Sequence, residues 1–593
     1  MEYRIKTENT FGKSILDVVL ENRGLTESDM EELLNPSVEN VEFPQQIPNM
    51  NEAIKLFINE LDIESKIGII VDSDCDGFTS SALLYQFLVN ECNYAKDKIE
   101  LFFHEEKGHG LSDEKLYKKI RKSDVEFLII PDAGTNDLKE IKELLKMGKR
   151  VLTLDHHNQN EDELTIIKDQ NGKMIYVLVN NQLGEHSKAL SGVGVVYKFL
   201  VAMTEDELEH YMDLVAVGNI ADMMEIDELE LRYIVNKGLE NINNGLFKEM
   251  LDKETYTPTD VSFNIANKIN AVCRYGSMAE KVDTFRALAM FEEERVYKPR
   301  KTKNNPNPQE EVQSLQKYMA RTVGNVKTRQ DNAVKSSMSK VKDYIDKNNC
   351  LDHKVVLVIN EGKGKNSLLA QNIGGLVANK LIDIYKRPIM ILHKHEDMYS
   401  GSMRGYGVES FKDILESTEI VEVMGHNNSA GIFVKKSDIP RLIKRLDKAM
   451  EDIEIEEASG YEVDCELDID DLVPSVFKQF ESMKKIWHTH CKEPMFLIKD
   501  IELDKEEIKH PFATLITFKY GGYKFDKNYC SGEFVDKILN VKNEGFGRKV
   551  YNCNVIVKLS TNEYNKNGYF EVVDMEVELK KGTTKKKDDK IPF

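Results

Sequence analysis

IGIIVDSDCDG, residues 67–77, decides the fold: five apolar residues run straight into three aspartates and a glycine. Similar apolar runs follow at IELFF (99–103), FLIIPD (127–132) and VLTLD (151–155), and the segments between them, such as 79–92 and 137–147, carry apolar residues at helical spacing. Short apolar runs alternating with amphipathic helices predict a parallel sheet with crossover helices. Ligands of such sheets bind at the carboxyl edge of the strands. Acids and imidazoles collect there: Asp72, Asp74 and Asp76 after the first run, Asp132 after the third, Asp155-His156-His157 at the fourth, and Asp222 at the end of the helical LVAVGNIA. Crowded carboxylates repel, divalent cations remove that cost, and mixed carboxylate and imidazole ligation suits Mn²⁺ or a similar ion. Two cations bridged by one carboxylate form a site for in-line attack on phosphate. Taken singly, each acid reads as a helix N-cap or turn residue; the four places together point to a metal centre.

At 593 residues, 41% hydrophobic and 31% charged, the chain reads as three or four globular domains. No apolar run approaches the ~20 residues that cross a bilayer, and MEYRIKTENT has no signal-peptide core. Eight cysteines are scattered without a CxxC pair, which suits a reducing cytoplasm. A net charge of −21 excludes a non-specific nucleic-acid coat, yet Tyr297–Lys347 holds twelve Lys/Arg against five Asp/Glu. The predicted organisation is a lead-in (1–55), an α/β domain (56–298), a linker and connecting helix interrupted at Gly324 (299–350), a smaller α/β domain (351–455), a strand-rich OB-like β-barrel (456–580) and a flexible tail (581–593).

DSDCDG (72–77), PDAG (131–134), LDHH (154–157) and GNIAD (218–222) resemble, in order and spacing, the four motifs of the DHH phosphoesterase superfamily. ENRGLT (21–26), LLNPS (33–37), PNMNEA (48–53), EKGHGLS (106–112), LSGVGVVYKFL (190–200) and NKINAVCR (267–274) narrow the resemblance to the RecJ-like single-strand-specific 5′→3′ DNA exonucleases, and SGSMRG (400–405) and MGHNNSAGI (424–432) are similar to the attached DHHA1 domain. The resemblance implies two divalent metal ions, Mn²⁺ or Mg²⁺. Asp74 and Asp76 would each ligate one, Asp132 would bridge them, and His156 and Asp222 would complete the second site, with Asp72 ligating or orienting at the first. His157 would act as donor or acid at the scissile phosphate, and Asp155 would hold an imidazole tautomer. Asn270 and Arg274 would lie near the nucleotide, and Ser402, Arg404 and His426 would clamp phosphate. Ile70 stands where many relatives place a ligating His, Met424 where the first Gly of GGH is usual, and Gly405 where the Ser of RS is usual.

The implied activity is two-metal hydrolysis of single-stranded DNA from the 5′ end to 5′-mononucleotides, in recombination, repair or replication, in a bacterial cell or a phage-infected host. The alternatives are a phosphodiesterase of short oligonucleotides or dinucleotides and a non-catalytic subunit of a replication complex. The basic connecting helix and the strand-rich domain suit a long single strand, with Tyr520, Tyr523, Phe525 and Tyr529 as candidate stacking platforms. His104 and His109 read as polar residues lining the cleft, and His488, His490 and Cys491 lack a fourth ligand. The terminal DDKIPF resembles the acidic tip of bacterial single-stranded DNA-binding protein, which implies a partner-binding tail at Ile591, Pro592 and Phe593.

Overall fold

Six runs rich in β-branched and aromatic residues become the strands of one sheet: β1 (Ile67–Val71), β2 (Ile99–Phe103), β3 (Phe127–Pro131), β4 (Arg150–Asp155), β5 (Ile166–Lys168) and β6 (Met174–Asn180). This computed structural model describes residues 1–581 except 9, 107, 160–163, 185, 187, 252–255, 302, 304, 363, 456–459, 488–490, 513, 540–548 and 563–566. The strand order is β2-β1-β3-β4-β6-β5, parallel throughout except for β5. Every residue of β1 and β3 is buried, as a strand covered on both faces requires. On one face Ile69, Ile129 and Leu152 pack with the helices α1 (Cys75–Asn90), α2 (Gly192–Thr204) and α3 (Met212–Ala221). On the other, Ile70, Leu128 and Ile130 pack with Leu116, Ile120, Ile141 and Leu144. Parallel strands bring their carboxyl ends to one edge, which places Asp72, Asp132 and Asp155 side by side.

Beyond this sheet come α4 (Asn267–Tyr275) and the 33-residue α5 (Leu315–Lys347). The helix runs through Gly324 without the expected interruption, because buried Val323 and Val326 anchor it on either side and tertiary packing outweighs local propensity. Val334, Val341 and Ile345, further along, join the core of a second, mixed sheet. Its strands are β7 (Val356–Asn360), β8 (Ile389–Lys394), β9 (Met398–Arg404), β10 (Val421–His426) and β11 (Ser429–Lys435), in the order β7-β8-β9-β11-β10. The helix α6 (Gly374–Tyr385) packs over β8 and β9. Several α5 cations are already engaged: Lys327 pairs with Asp331, Arg329 with Glu280, and Arg321 lies over the Tyr297 ring.

The chain divides into two units, Pro36–Glu457 and a second built from Met1–Asn35 together with Ala458–Phe593. The expected lead-in of 1–55 is therefore split. Tyr3–Ile5 pairs in parallel with Tyr461–Val463, and Arg23 reaches the buried Asp464 at 2.7 Å. The expected OB-like barrel is corrected as well: seven strands form an open ladder whose end members, Cys465–Glu466 and Lys509–Phe512, each pair with one neighbour, so no barrel closes among the described residues. The long strands Lys549–Thr561 and Gly568–Lys581 instead carry the helix Pro474–Ser482, which covers the face that closure would bury. Phe525 stacks on Phe518 and Phe570 in that core, and Tyr523 stacks on Phe477, so neither is a free platform; Tyr529 is exposed. His488, His490 and the tail with Ile591, Pro592 and Phe593 lie outside the described residues. No helix among the described residues is long and apolar enough to cross a membrane.

Candidate metal centre

The turn after β1 places three acids in three environments. Asp72 is buried and anchored: Gly110 N–H donates to Oδ1 at 3.0 Å, and His109 Nδ1 meets Oδ2 at 3.0 Å. Burial alone would raise this carboxyl, but His109 and His104 beside it hold it below its usual range. Asp74 N-caps α1, its Oδ1 accepting from Gly77 N–H at 3.1 Å. Asp76, in the first turn of α1, caps a different helix. The N–H groups of Gly192 and Val193 and the Ser191 hydroxyl, at the start of α2, donate to it at 2.7–3.1 Å. Burial and the neighbouring Asp74 push its carboxyl up to about 6.

Asp132 follows β3 in the left-handed region, φ 61°, which a short polar side chain tolerates. Its backbone N–H donates to Leu154 carbonyl, and its Oδ1 is buried without a hydrogen-bond partner. Gly192 makes room for it, since a Cβ there would stand 2.3 Å from that oxygen. His156 Nε2 lies 3.3 Å from Asp132 Oδ1 and 3.6 Å from Asp222 Oδ2. Burial and the adjacent His157 push His156 down to about 3, so the ring stays neutral. Burial and Asp76 raise Asp132 well above the carboxylate range and bring Asp222 up to about 8. An unpaired buried oxygen, a neutral imidazole and mutually repelling carboxylates form a donor set with its positive charge missing, and that fits divalent cations. Asp72, Asp74 and Asp132 can converge on one ion, and Asp76, His156 and Asp222 on another.

Asp155, fully buried at the end of β4, has both oxygens occupied: Thr135 N–H donates to Oδ2, while His156 N–H and the His157 Nδ1 (2.8 Å) meet Oδ1. It orients His157 and leaves Nε2 of that ring outward. Burial works against charging His157, yet the Asp155 carboxylate raises it above its ordinary value. The rings of His109 and His157 stand 4.6 Å apart, so His109 belongs to the site rather than to a remote cleft wall. Its position between Gly108 and Gly110 in EKGHGLS was the available signal. Burial opposes charging it, and Asp72 carries it up to about 10. Ile70, by contrast, is buried in the core below the sheet.

This chain is similar over its whole length to the Bacillus subtilis (strain 168) protein named "Putative SPbeta prophage-derived single-strand DNA-specific exonuclease YorK", with 31% identity over 608 residues, 97% of this chain and 98% of the relative. The chain belongs to the RecJ-like DHH family. The model of the DHH family, N-terminal domain, matches residues 66–219. The single-stranded-DNA-specific exonuclease RecJ of Bacillus subtilis (strain 168) is 25% identical over 429 residues, 70% of this chain and 49% of that protein. The crystal structure of RecJ in complex with Mn²⁺ from Thermus thermophilus superposes with a TM-score of 0.69 at 18% identity, over 97% of this chain and 79% of that one; it shares the fold.

The remaining expected RecJ-type residues occupy two places. Asn270 Oδ1 accepts from Cys75 N–H at 2.9 Å, tying α4 to the start of α1. Arg274 has a buried Nε without a partner, and its charge, after burial, lowers Arg404. Ser402 and Arg404 lie on β9 facing α6. His426 ends β10, exposed, near enough for its charge to act on His156.

Proposed function

We propose that the chain is a metal-dependent exonuclease that degrades single-stranded DNA from the 5′ end to 5′-mononucleotides. The observation that carries this reading is the buried, unpartnered Asp132 Oδ1 between two acid sets, in a chain similar over its full length to a protein named as a single-strand DNA-specific exonuclease. Asp74 with Asp72 would hold one ion, Asp76, His156 and Asp222 the other, and Asp132 both. Such ions, when bound, neutralise the carboxylates and activate water and phosphate for displacement. The chain's own residues do the rest. Asp155 fixes the His157 ring, and the Nε2–H of the protonated ring donates to the scissile phosphate and then gives its proton to the departing oxygen. His109 and Gly110 keep Asp72 in place. Arg274, Arg404 and Ser402 offer donors to the phosphate that precedes the cut, with the planar guanidinium suited to two oxygens at once.

The test compares a 5′-phosphorylated long single strand with a dinucleotide in Mn²⁺, with label at each end of the strand in turn. The expected result is release of labelled mononucleotide from the 5′ end and faster turnover of the long strand. Preference for the dinucleotide would replace this reading with the short-oligonucleotide phosphodiesterase.

A further inference from the structure

His393 on β8 is 7% exposed, and its Nε2 is buried without a hydrogen-bond partner. Its Nδ1 lies 3.1 Å from Asn360 Nδ2. The Asn360 amide has one workable orientation. Its Oδ1 accepts from Leu368 N–H at 3.0 Å, while its Nδ2 donates to Leu369 carbonyl at 3.0 Å and to the Ser367 hydroxyl oxygen at 2.8 Å. A flipped amide would set donor against donor and oxygen against oxygen. Nδ2 therefore donates to His393 Nδ1, and a neutral ring with an accepting Nδ1 carries its proton on Nε2. Burial, and then the charge of His395, push His393 down to about 4, so that neutral form persists at ordinary pH.

This fixed donor is aimed at a place that already has an excess of donors. Ile389 pairs with Arg404, Ile391 with Ser402 and His393 with Ser400, so His393, Ser402 and Arg404 share the sheet face under α6. A Cβ on Gly374, the first residue of α6, would stand 3.7 Å from His393 Nε2 and 3.6 Å from Ser402 Oγ; one on Gly375 would stand 2.6 Å from Arg404 Nη2. The two glycines leave that space open, and no side chain caps the helix. A helix N-terminus, a guanidinium, a hydroxyl and an orphan N–H together require an acceptor with several oxygens.

We propose that His393 is a specificity-determining residue, its Nε2–H donating to an oxygen of the terminal phosphate monoester on the 5′ end of the strand. A 5′-hydroxyl end leaves that donor unpaired. The inference rests on the exonuclease reading and adds to it the end that the site prefers.

The experiment measures kcat/KM on one strand carrying either a 5′-phosphate or a 5′-hydroxyl. The unaltered protein prefers the phosphate; His393→Phe cuts that preference about tenfold, the effect of one buried hydrogen bond to a charged group, with the hydroxyl strand little changed. His393→Gln, whose amide N–H reaches the place of Nε2, restores most of it. Unchanged preference in His393→Phe overturns the inference, as does an unaltered protein that degrades both strands equally. Failure to degrade either strand removes the exonuclease reading and this one with it. Histidine ¹⁵N resonances of the unaltered protein in metal-free buffer give a measurement independent of how the variants fold. The Nε2 signal lost in His393→Gln shifts when the phosphorylated strand is added and not with the hydroxyl strand; no shift overturns the inference.

Discussion

Asp132 is where the site is most exposed to a single change, because its Oδ1 has no protein partner and its neighbours leave it none. A buried acceptor without a donor costs about 1–3 kcal/mol, a cost that persists only where something else uses the group. Asp132→Ala is expected to lower hydrolysis at least about a hundredfold while changing single-strand affinity less than about twofold, since the side chain contributes to ion binding rather than to strand contacts. Single-turnover rates alongside fluorescence anisotropy check both parts; residual activity of more than a few per cent removes the bridging role. Asp155 sits beside Asp132 and is just as buried, yet its oxygens are satisfied by Thr135, His156 and His157. Two aspartates at adjacent strand ends thus have different work because one is hydrogen-bonded and the other is not.

The helix ends do more than terminate helices. Asp76 lies in the first turn of α1 but caps α2, so one residue joins two elements and is pinned at the sheet edge by both. The α5 helix shows the opposite case, in which a local signal loses. Gly324 predicts a break, but the buried stripe Leu315, Met319, Val323 and Val326 holds the helix straight through it. A Cβ at Gly324 would meet nothing within 4 Å. Gly324→Ala is therefore expected to stabilise the protein by about 0.5–1 kcal/mol, by lowering unfolded-chain entropy without a clash, as a rise in the denaturant midpoint at unchanged slope.

For the whole molecule, the acids of the site link ion binding to stability. Burial and like charge raise Asp76 to about 6 and Asp222 to about 8, above the unfolded value near 4. Their contribution to the ion-free protein is present below about pH 4 and is lost as pH rises through 6 and 8. An ion that displaces those protons reverses the trend, so the gain in Tm on adding Mn²⁺ is expected to be larger at pH 8 than at pH 5.5. Scanning calorimetry with and without Mn²⁺ measures the difference, in which the opposite contribution of His156 largely cancels; an equal gain at both pH values would count against these acids as ligands. The second unit depends on chain segments far apart in sequence. Arg23→Ala leaves Asp464 buried without its cation and is expected to destabilise that unit by about 3 kcal/mol, seen as a lowered melting transition.

The parallel sheet and the membership of the metal site were legible in the chain itself, because strand ends must gather at one edge and that edge collects whatever acids follow the strands. The same logic could not reach Asp76 capping a second helix, the histidine pair on Asp72, or the orphan Nε2 of His393, each of which depends on which residues distant in sequence meet. Barrel closure was likewise beyond it: alternation along Lys549–Thr561 and Gly568–Lys581 says which face is buried, not whether a helix or another strand covers it. Pattern along the chain sets what each segment can bury, and packing between segments decides which polar atoms are left without a partner, where ion and phosphate binding begin.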